Sequence, residues 1–553
     1  MTAIDTPRPK GLALLRQALR SRKAGCMLGL GFSSGLPFAL LLGSLNVWLV
    51  EAGIKLATIG VLSWIGLAYA FKFLWAPLVD RMPLPLLEGL GRRKSWIVLC
   101  QSVLVAGFLA LAAIDPHGAI GPFAAVAFAT AFASATQDIA IDAWRIDVAD
   151  EETSVDLLSA IAQFGYRIAA IVGGALALFL AARMSWPHVF GVMAALMALA
   201  MVASLLAPDT PRGHGGPHHA ITGEAGELSP LVRGSLLALV LAAWGWAVVT
   251  IGLFMHTMLA VPPPGQKLPS VSDFTRHQGP LIVAATVGTP LLAAFVVNAL
   301  KRRGMARADA PRVGQVDGFA EHAYAALVAP LVELVERLGA GVLVLLGFIL
   351  SYALCYNLWS SFAGPFYIGA MHYTKDQVAF ASKIFGIIMT MIGISTGGYL
   401  FARIGRFPTV LIGAILPPLG NLLYADLADG GAGIDAFAHA LRLDVFAGDL
   451  GADARMLRLL LAICYENIAT GIALTAFVAY LSGVVSKRYT AIQYALLSSL
   501  TFLVGTLGRG VVGEAFDHYG YGPVFRLTAL AGVVSVSFVL LEWARVRRSE
   551  ARV

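Results

Sequence analysis

"APLVDRMPLPLLEGLGRRK" occupies residues 76–94, at the end of an apolar run. A related pattern, "GYLFARIGRF", recurs at 398–407. Both read small-x-Leu-x-x-Arg and then Gly-Arg at a short polar turn. The Gly permits a tight turn. Arg and Asp at such a turn can cap helix ends and pair across a bundle in one conformation only, which makes a gate. A basic turn demanded by topology alone explains the cations. It does not explain the shared placing of the small residue and Leu before the Arg, nor the Gly after it in both copies, which points to a duplicated helical unit.

The chain around these turns is 58% hydrophobic and 13% charged over 553 residues, with mean hydropathy +0.76. Soluble domains carry about 25% charged residues. The composition is that of an all-α polytopic membrane protein. Its 58 Gly and 26 Pro fit membrane helices, where small residues let backbones approach closely. The apolar runs are long rather than alternating ten-residue segments, which excludes a β-barrel. The four Cys have neither metal nor disulfide spacing and read as small core residues. His214, His218 and His219 read as part of a flexible linker, so no metal site is expected.

Fourteen apolar segments are long enough to span. They lie near 24–50, 57–79, 96–114, 120–144, 157–181, 187–206, 234–260, 280–299, 340–368, 377–401, 408–427, 456–485, 491–513 and 519–542. With the N-terminus in the cytoplasm, 27 of the 40 basic residues fall on the cytoplasmic side and 8 on the outer side. Five lie well within spans, Lys72, Arg167, Lys383, Arg509 and Arg526, while Arg458, at the outer edge of the span near 456–485, is counted with the outer side. This is the positive-inside bias, and dropping one span would invert half of it. It accounts for the formal charge of +7 without nucleic acid. The basic N-terminus followed by a long apolar run with no small-residue cleavage site reads as a retained signal anchor.

The expected organisation is six, two, six. A cytoplasmic N-terminus (1–23) precedes a six-helix bundle (24–206), a cytoplasmic linker (207–233) and two extra transmembrane helices (234–299). A second cytoplasmic linker (300–339) follows, then another six-helix bundle (340–542) and a cytoplasmic C-terminus (543–553). Within the second linker, "YAALVAPLVELVERLG" (324–339) has helical apolar spacing and could lie on the membrane surface.

The two turns resemble the loop 2–3 signature of the major facilitator superfamily, G-x-L-x-D-R-x-G-R-R/K-R/K. The first copy matches at Leu78, Asp80, Arg81, Gly91, Arg92, Arg93 and Lys94, with Ala76 for Gly and an insertion before Gly91. The second matches at Gly398, Leu400, Arg403, Gly405 and Arg406, but has Ala402 where Asp is expected. A gating charge pair is therefore missing from the second copy. "GFSSGLPFALLLGSLNVWL" (31–49), "LAYAFKFLWAPLVDR" (67–81), "SATQDIAIDAWR" (134–145), "ASKIFGIIMT" (381–390), "YENIATGIALTAFVAYLS" (465–482) and "YTAIQYALLSSL" (489–500) together resemble the AmpG family of muropeptide permeases. The resemblance implies a major facilitator fold in the cytoplasmic membrane of a Gram-negative bacterium. It implies import of GlcNAc-1,6-anhydroMurNAc, with or without peptide, driven by the proton gradient. An anionic amphiphile such as acetyl-CoA is the alternative cargo on the same fold. No cofactor is implied, and a monomer is expected. Nothing points to an enzyme: the chain has no H-E-x-x-H or phosphate loop, and its G-x-S-x-G matches lie inside apolar helical runs rather than at the strand-to-helix turn of a nucleophile elbow.

The residues that could carry the chemistry are charges inside spans. A carboxylate in hydrocarbon costs roughly 2.5–3.5 kcal/mol even on the gentler insertion scales. Asp138, Asp142 and Arg145 share one helix face, with Asp138 about a turn deeper than Asp142. Asp138 is either a proton site or half of a structural ion pair. Asp142 and Glu466 are further proton-coupling candidates, and Glu466 lies in the fourth helix of its half, as Asp138 does. Lys72, Arg167, Lys383 and Arg509 suit a carboxylate-bearing ligand, by contact or as structural partners. Gln137 and Asn467 could hydrogen-bond a sugar or amide, or another helix. "GFSSG" at Gly31–Gly35 and "GISTG" at Gly393–Gly397 have the G-x-x-x-G spacing of close helix packing.

Overall fold

The computed structural model describes residues 21–76, 79, 84–150, 153, 155–208, 228–259, 269–303, 323–324, 327–449, 453–486 and 490–550. Asp80 and Arg81 of the first gating turn, and the linker histidines, lie outside the described residues. Among the described residues there is no strand, and thirteen helices are long and apolar enough to cross a membrane. The long helices are α1 (Arg22–Glu51), α3 (Arg92–Ala113), α4 (Ile120–Val148), α6 (Trp186–Leu206), α7 (Pro230–Leu259), α8 (Val271–Arg302) and α10 (Gly341–Phe362). They continue as α11 (Lys375–Ile404), α12 (Arg406–Ala428), α15 (Ala454–Val484), α16 (Thr490–Tyr519) and α17 (Tyr521–Glu550). Helix α5 runs over Val155–Ile171, a π turn at Val172–Leu176, and Ala177–Ala181. Shorter elements are α2 (Leu56–Tyr69), α9 (Ala329–Leu338), α13 (Ala432–Ala440) and α14 (Leu443–Asp449).

The second expected span differs from the others. Instead of one long helix, α2 is a short helix passing into 3₁₀ turns at Ser63–Gly66 and Lys72–Leu74. Ser63 donates to the Gly60 carbonyl, which competes with the regular ladder.

The chain forms two compact units. The first holds α1 up to Ser44, α3, α4 from Ala125, α5 and α6. Its seam is α1 against α5, made possible by glycine. A Cβ on Gly31 would stand 2.2 Å from the Ala162 carbonyl oxygen, and one on Gly35 2.7 Å from that of Tyr166. Lys94 donates to the Ala207 carbonyl and Arg22 to the Leu206 carbonyl, so two cations meet the C-terminal end of α6. Lys23 pairs with Asp150, and this bond, with the Thr153 hydroxyl and N–H, holds the Asp150 carboxyl well below the usual carboxylate range.

The second unit holds α1 from Leu45, α2, residues 115–124 and α7 to α17. Here α11 packs on α15. A Cβ on Gly393 would lie 2.4 Å from the Ile468 carbonyl oxygen, and one on Gly397 3.0 Å from the Ile472 Cα. The extra pair, α7 and α8, docks on α2 and α16. Trp64 of α2 lies 5.8 Å from Phe254 and from Phe274, which stack at 3.9 Å. Glu514 of α16 accepts from the Ser272 N–H at 2.9 Å and hydroxyl at 2.7 Å, fixing the start of α8. Helix α9 does not lie on a lipid surface. Pro330, Leu331, Val332, Leu334 and Val335 are buried against α8, α10 and α16. The apolar spacing is real, but neighbouring helices cover it. Arg337 of α9 donates to the Val484 carbonyl, capping α15.

Candidate functional site

Each unit gathers several of the candidate residues into a polar constellation in its spans. In the first unit, α4 presents Asp138, and the Ser34 hydroxyl of α1 donates to its Oδ1 at 2.5 Å. The close α1–α5 seam brings in Tyr166 and Arg167 of α5, and Tyr166 lies in the fields of both Asp138 and Arg167. Arg167 itself is exposed. Gln137 is fully buried beside this group, and its Nε2 donates to the Ser33 carbonyl at 3.0 Å. Gln101 of α3 donates to the Ser33 hydroxyl at 3.1 Å. The side-chain oxygens of Gln101, Gln137 and Ser134 have no hydrogen-bond partner among the described residues. Buried polar atoms of this kind are usually met by ordered water or ligand. Asp142 stands apart: it is exposed and pairs with Arg145 at 3.1 Å.

In the second unit, α15 presents Glu466. The Tyr424 hydroxyl of α12 donates to Glu466 Oε2, and the Tyr424 and Tyr367 hydroxyls lie 2.7 Å apart. Lys383, in the π-helical stretch Ala379–Phe385 of α11, is in electrostatic contact with Glu466. Such π turns recur at functional sites because they re-aim side chains. Tyr356 lies in the fields of both Glu466 and Arg509. Arg509 is buried, and its Nε donates to the Asn357 carbonyl at 2.9 Å and its Nη2 to the Ser360 hydroxyl at 3.3 Å. Trp359 closes the group, 4.6 Å from the Tyr424 ring and donating to Asn421 Oδ1 at 2.9 Å.

Lys383, Glu466 and Arg509 are thus gathered around one tyrosine-rich wall. Asn467 faces elsewhere: it donates to the Ile463 carbonyl and accepts from Thr390 of α11 at 2.8 Å, within the α11–α15 seam. Lys72 is half-buried in its 3₁₀ turn. Ser34, Tyr356, Tyr367, Tyr424 and Asn421 do not stand out in the sequence, because their role follows from which carboxylate they face. The one available signal is "YNLW" (356–359), which puts Tyr356 and Trp359 one turn apart.

The described gating residues divide between the units. Arg92 is exposed, whereas Arg93 is buried and pairs with Asp147 at 2.9 Å. Arg403 is exposed beside the Tyr399 hydroxyl. Arg406 lies over the rings of Phe407 and Tyr480, at 5.1 and 5.4 Å.

The sequence pattern of the Major Facilitator Superfamily matches residues 25–441. The chain belongs to this superfamily. It is a transporter of that fold and not an enzyme. Among its relatives, the anhydromuropeptide permease of Escherichia coli (strain K12) is 27% identical over 530 residues, covering 95% of this chain and 81% of its own. The putative transporter AmpG 4 of Rickettsia felis is 26% identical over 514 residues, covering 93% and 94%. Among solved structures, an auto-inhibited POT-family peptide transporter superposes with a TM-score of 0.60 at 14% identity, covering 96% of this chain and 97% of its own. The Escherichia coli xylose transporter XylE gives 0.52 at 10% identity, covering 94% and 98%. These two likenesses speak for the major facilitator fold alone.

Proposed function

We propose that this facilitator imports GlcNAc-1,6-anhydroMurNAc, bare or peptide-bearing, from periplasm to cytoplasm by proton-coupled alternating access. The observation that carries the reading is the likeness to the anhydromuropeptide permease over 95% of the chain. The charge asymmetry of the loops supports a cytoplasmic-membrane protein with both termini in the cytoplasm.

The side chains supply a chemistry for coupling. Ionised Glu466 is the counter-charge of Lys383 and accepts from Tyr424. A proton arriving on Glu466 removes that counter-charge. Lys383 is then free to bind a carboxylate of the muropeptide, while the buried Tyr367, Tyr424 and Trp359 hold the wall behind it. Proton and substrate thus load together because each makes room for the other. Asp138 with Ser34 is the corresponding carboxylate of the first half. Rocking of the two halves then carries the loaded site across.

The test is uptake of labelled GlcNAc-1,6-anhydroMurNAc by proteoliposomes with an imposed proton gradient, acid outside. The expected result is accumulation above equilibrium that collapses with an uncoupler. Absence of uptake by the wild-type protein contradicts the reading and moves the cargo to another anionic amphiphile.

A further inference from the structure

The second signature copy has Ala402 where the first has Asp80. Arg406, the second cation of that turn after Arg403, makes no ion pair among the described residues. Its guanidinium instead lies over two rings, that of its neighbour Phe407 at 5.1 Å and that of Tyr480 of α15 at 5.4 Å. The Tyr480 hydroxyl in turn donates to Glu542 of α17. Glu542 is 1% exposed and is held in two-point fashion by Arg545, at 2.6 and 2.7 Å. Phe407 lies parallel to Trp543, the residue after Glu542, at 5.9 Å and 4°. Arg545 also presses on the start of α10, where a Cβ on Gly341 would meet its Cδ at 2.8 Å. The buried carboxylate of α17 thus bonds α15 directly, and its partners Arg545 and Tyr480 reach the start of α10 and Arg406 of α12, at the end of the bundle that the charge pattern assigns to the cytoplasm.

We propose that Glu542 is the positioning carboxylate of the second gating turn, holding Arg406 through Tyr480 in the place that Ala402 leaves without an acid. The inference rests on reading the chain as an alternating-access transporter. A buried ion pair is a poor means of stabilising a bundle, since apolar residues of similar volume often do as well or better. Here the carboxylate does more than satisfy Arg545. A phenol that donates to a carboxylate carries more negative charge on its ring face, and that face is what attracts Arg406. The chain Glu542, Tyr480, Arg406 replaces a direct Asp–Arg contact by a relay through one ring. It also ties the turn to α17, so the turn is released only when α12 and α17 part.

The test uses a single reporter cysteine, Val484→Cys, in a background lacking Cys26, Cys100, Cys355 and Cys464. Val484 is buried at the end of α15, three residues past Leu481 and close to the turn. Inside-out vesicles are treated with a membrane-impermeant maleimide. Glu542→Gln and Tyr480→Phe are each expected to raise the labelling rate about tenfold. Tyr480→Phe leaves the Glu542–Arg545 pair intact, so it reads the relay even if Glu542→Gln folds poorly. The double variant Glu542→Gln/Arg545→Gln is expected to regain thermal stability while its labelling stays fast. Wild-type labelling in Tyr480→Phe, or in the double variant, overturns the proposal and makes Glu542 a structural partner of Arg545 only. No muropeptide is needed, so this outcome is separate from the fate of the substrate assignment.

Discussion

Glu466→Gln is expected to abolish uphill uptake while sparing exchange of substrate across the membrane. Glutamine keeps the shape and still accepts a hydrogen bond from Tyr424, but it neither binds a proton nor balances Lys383. The variant therefore resembles the protonated site permanently. Substrate binds and exchanges, yet its movement is no longer tied to proton release. A carrier that has lost coupling brings substrate only to equal concentration on the two sides, whereas one proton per substrate supports about tenfold accumulation for each unit of imposed pH difference. Uptake and counterflow on the same proteoliposome preparation measure the two properties. Loss of both together, with an intact fold, would make Glu466 a structural charge. Preserved accumulation would remove it from the coupling machinery.

Lys383→Met is expected to act on affinity rather than on coupling. Methionine keeps the apolar stem in the π-helical stretch and removes the cation. A charge-assisted contact to a carboxylate contributes about 1.5–3 kcal/mol, so the Kd for GlcNAc-1,6-anhydroMurNAc should weaken roughly 10- to 100-fold. The variant also leaves Glu466 without its counter-charge. Combining the two changes separates ligand contact from pairing. If Lys383 only neutralises Glu466, the double variant Lys383→Met/Glu466→Gln recovers binding. If Lys383 grips the ligand, the double variant binds as weakly as Lys383→Met alone. Binding measured by calorimetry distinguishes these cases.

How much of this is legible before the structure differs from element to element. The superfamily follows from the two gating turns, because small-x-Leu-x-x-Arg followed by Gly-Arg in both copies exceeds what topology alone requires. Close packing at Gly31, Gly35, Gly393 and Gly397 is similarly local: a small residue each fourth position leaves a groove wherever the helix goes. What that groove receives is not local. The first pair meets α5 and the second meets α15, which stand at different positions in their halves. The broken α2 is hidden for another reason. Its composition is that of a membrane helix, and the 3₁₀ turn at Ser63–Gly66 begins where the Ser63 hydroxyl bonds the Gly60 carbonyl. Helix α9 shows an apolar stripe correctly, but a stripe does not say whether lipid or protein covers it.

The candidate site divides along the same line. Lys383, Glu466 and Arg509 stand out because a charge within a span is rare and expensive. The tyrosines that complete the site do not, since a tyrosine in a membrane helix is ordinary until its hydroxyl is seen to face a carboxylate. Gln137 and Asn467 show the converse. Each reads in the sequence either as a ligand contact or as a bond to another helix; in the fold Gln137 Nε2 reaches the backbone of α1 and Asn467 the Thr390 hydroxyl of α11, while Gln137 Oε1 meets no partner among the described residues.

The most direct measurement is of the proton itself. Proteoliposomes holding the wild-type protein and an internal pH indicator are given GlcNAc-1,6-anhydroMurNAc with no imposed gradient. Proton coupling predicts internal acidification that starts with substrate addition, tracks uptake and is absent in Glu466→Gln. Substrate entry with no change in internal pH would contradict proton coupling at its centre.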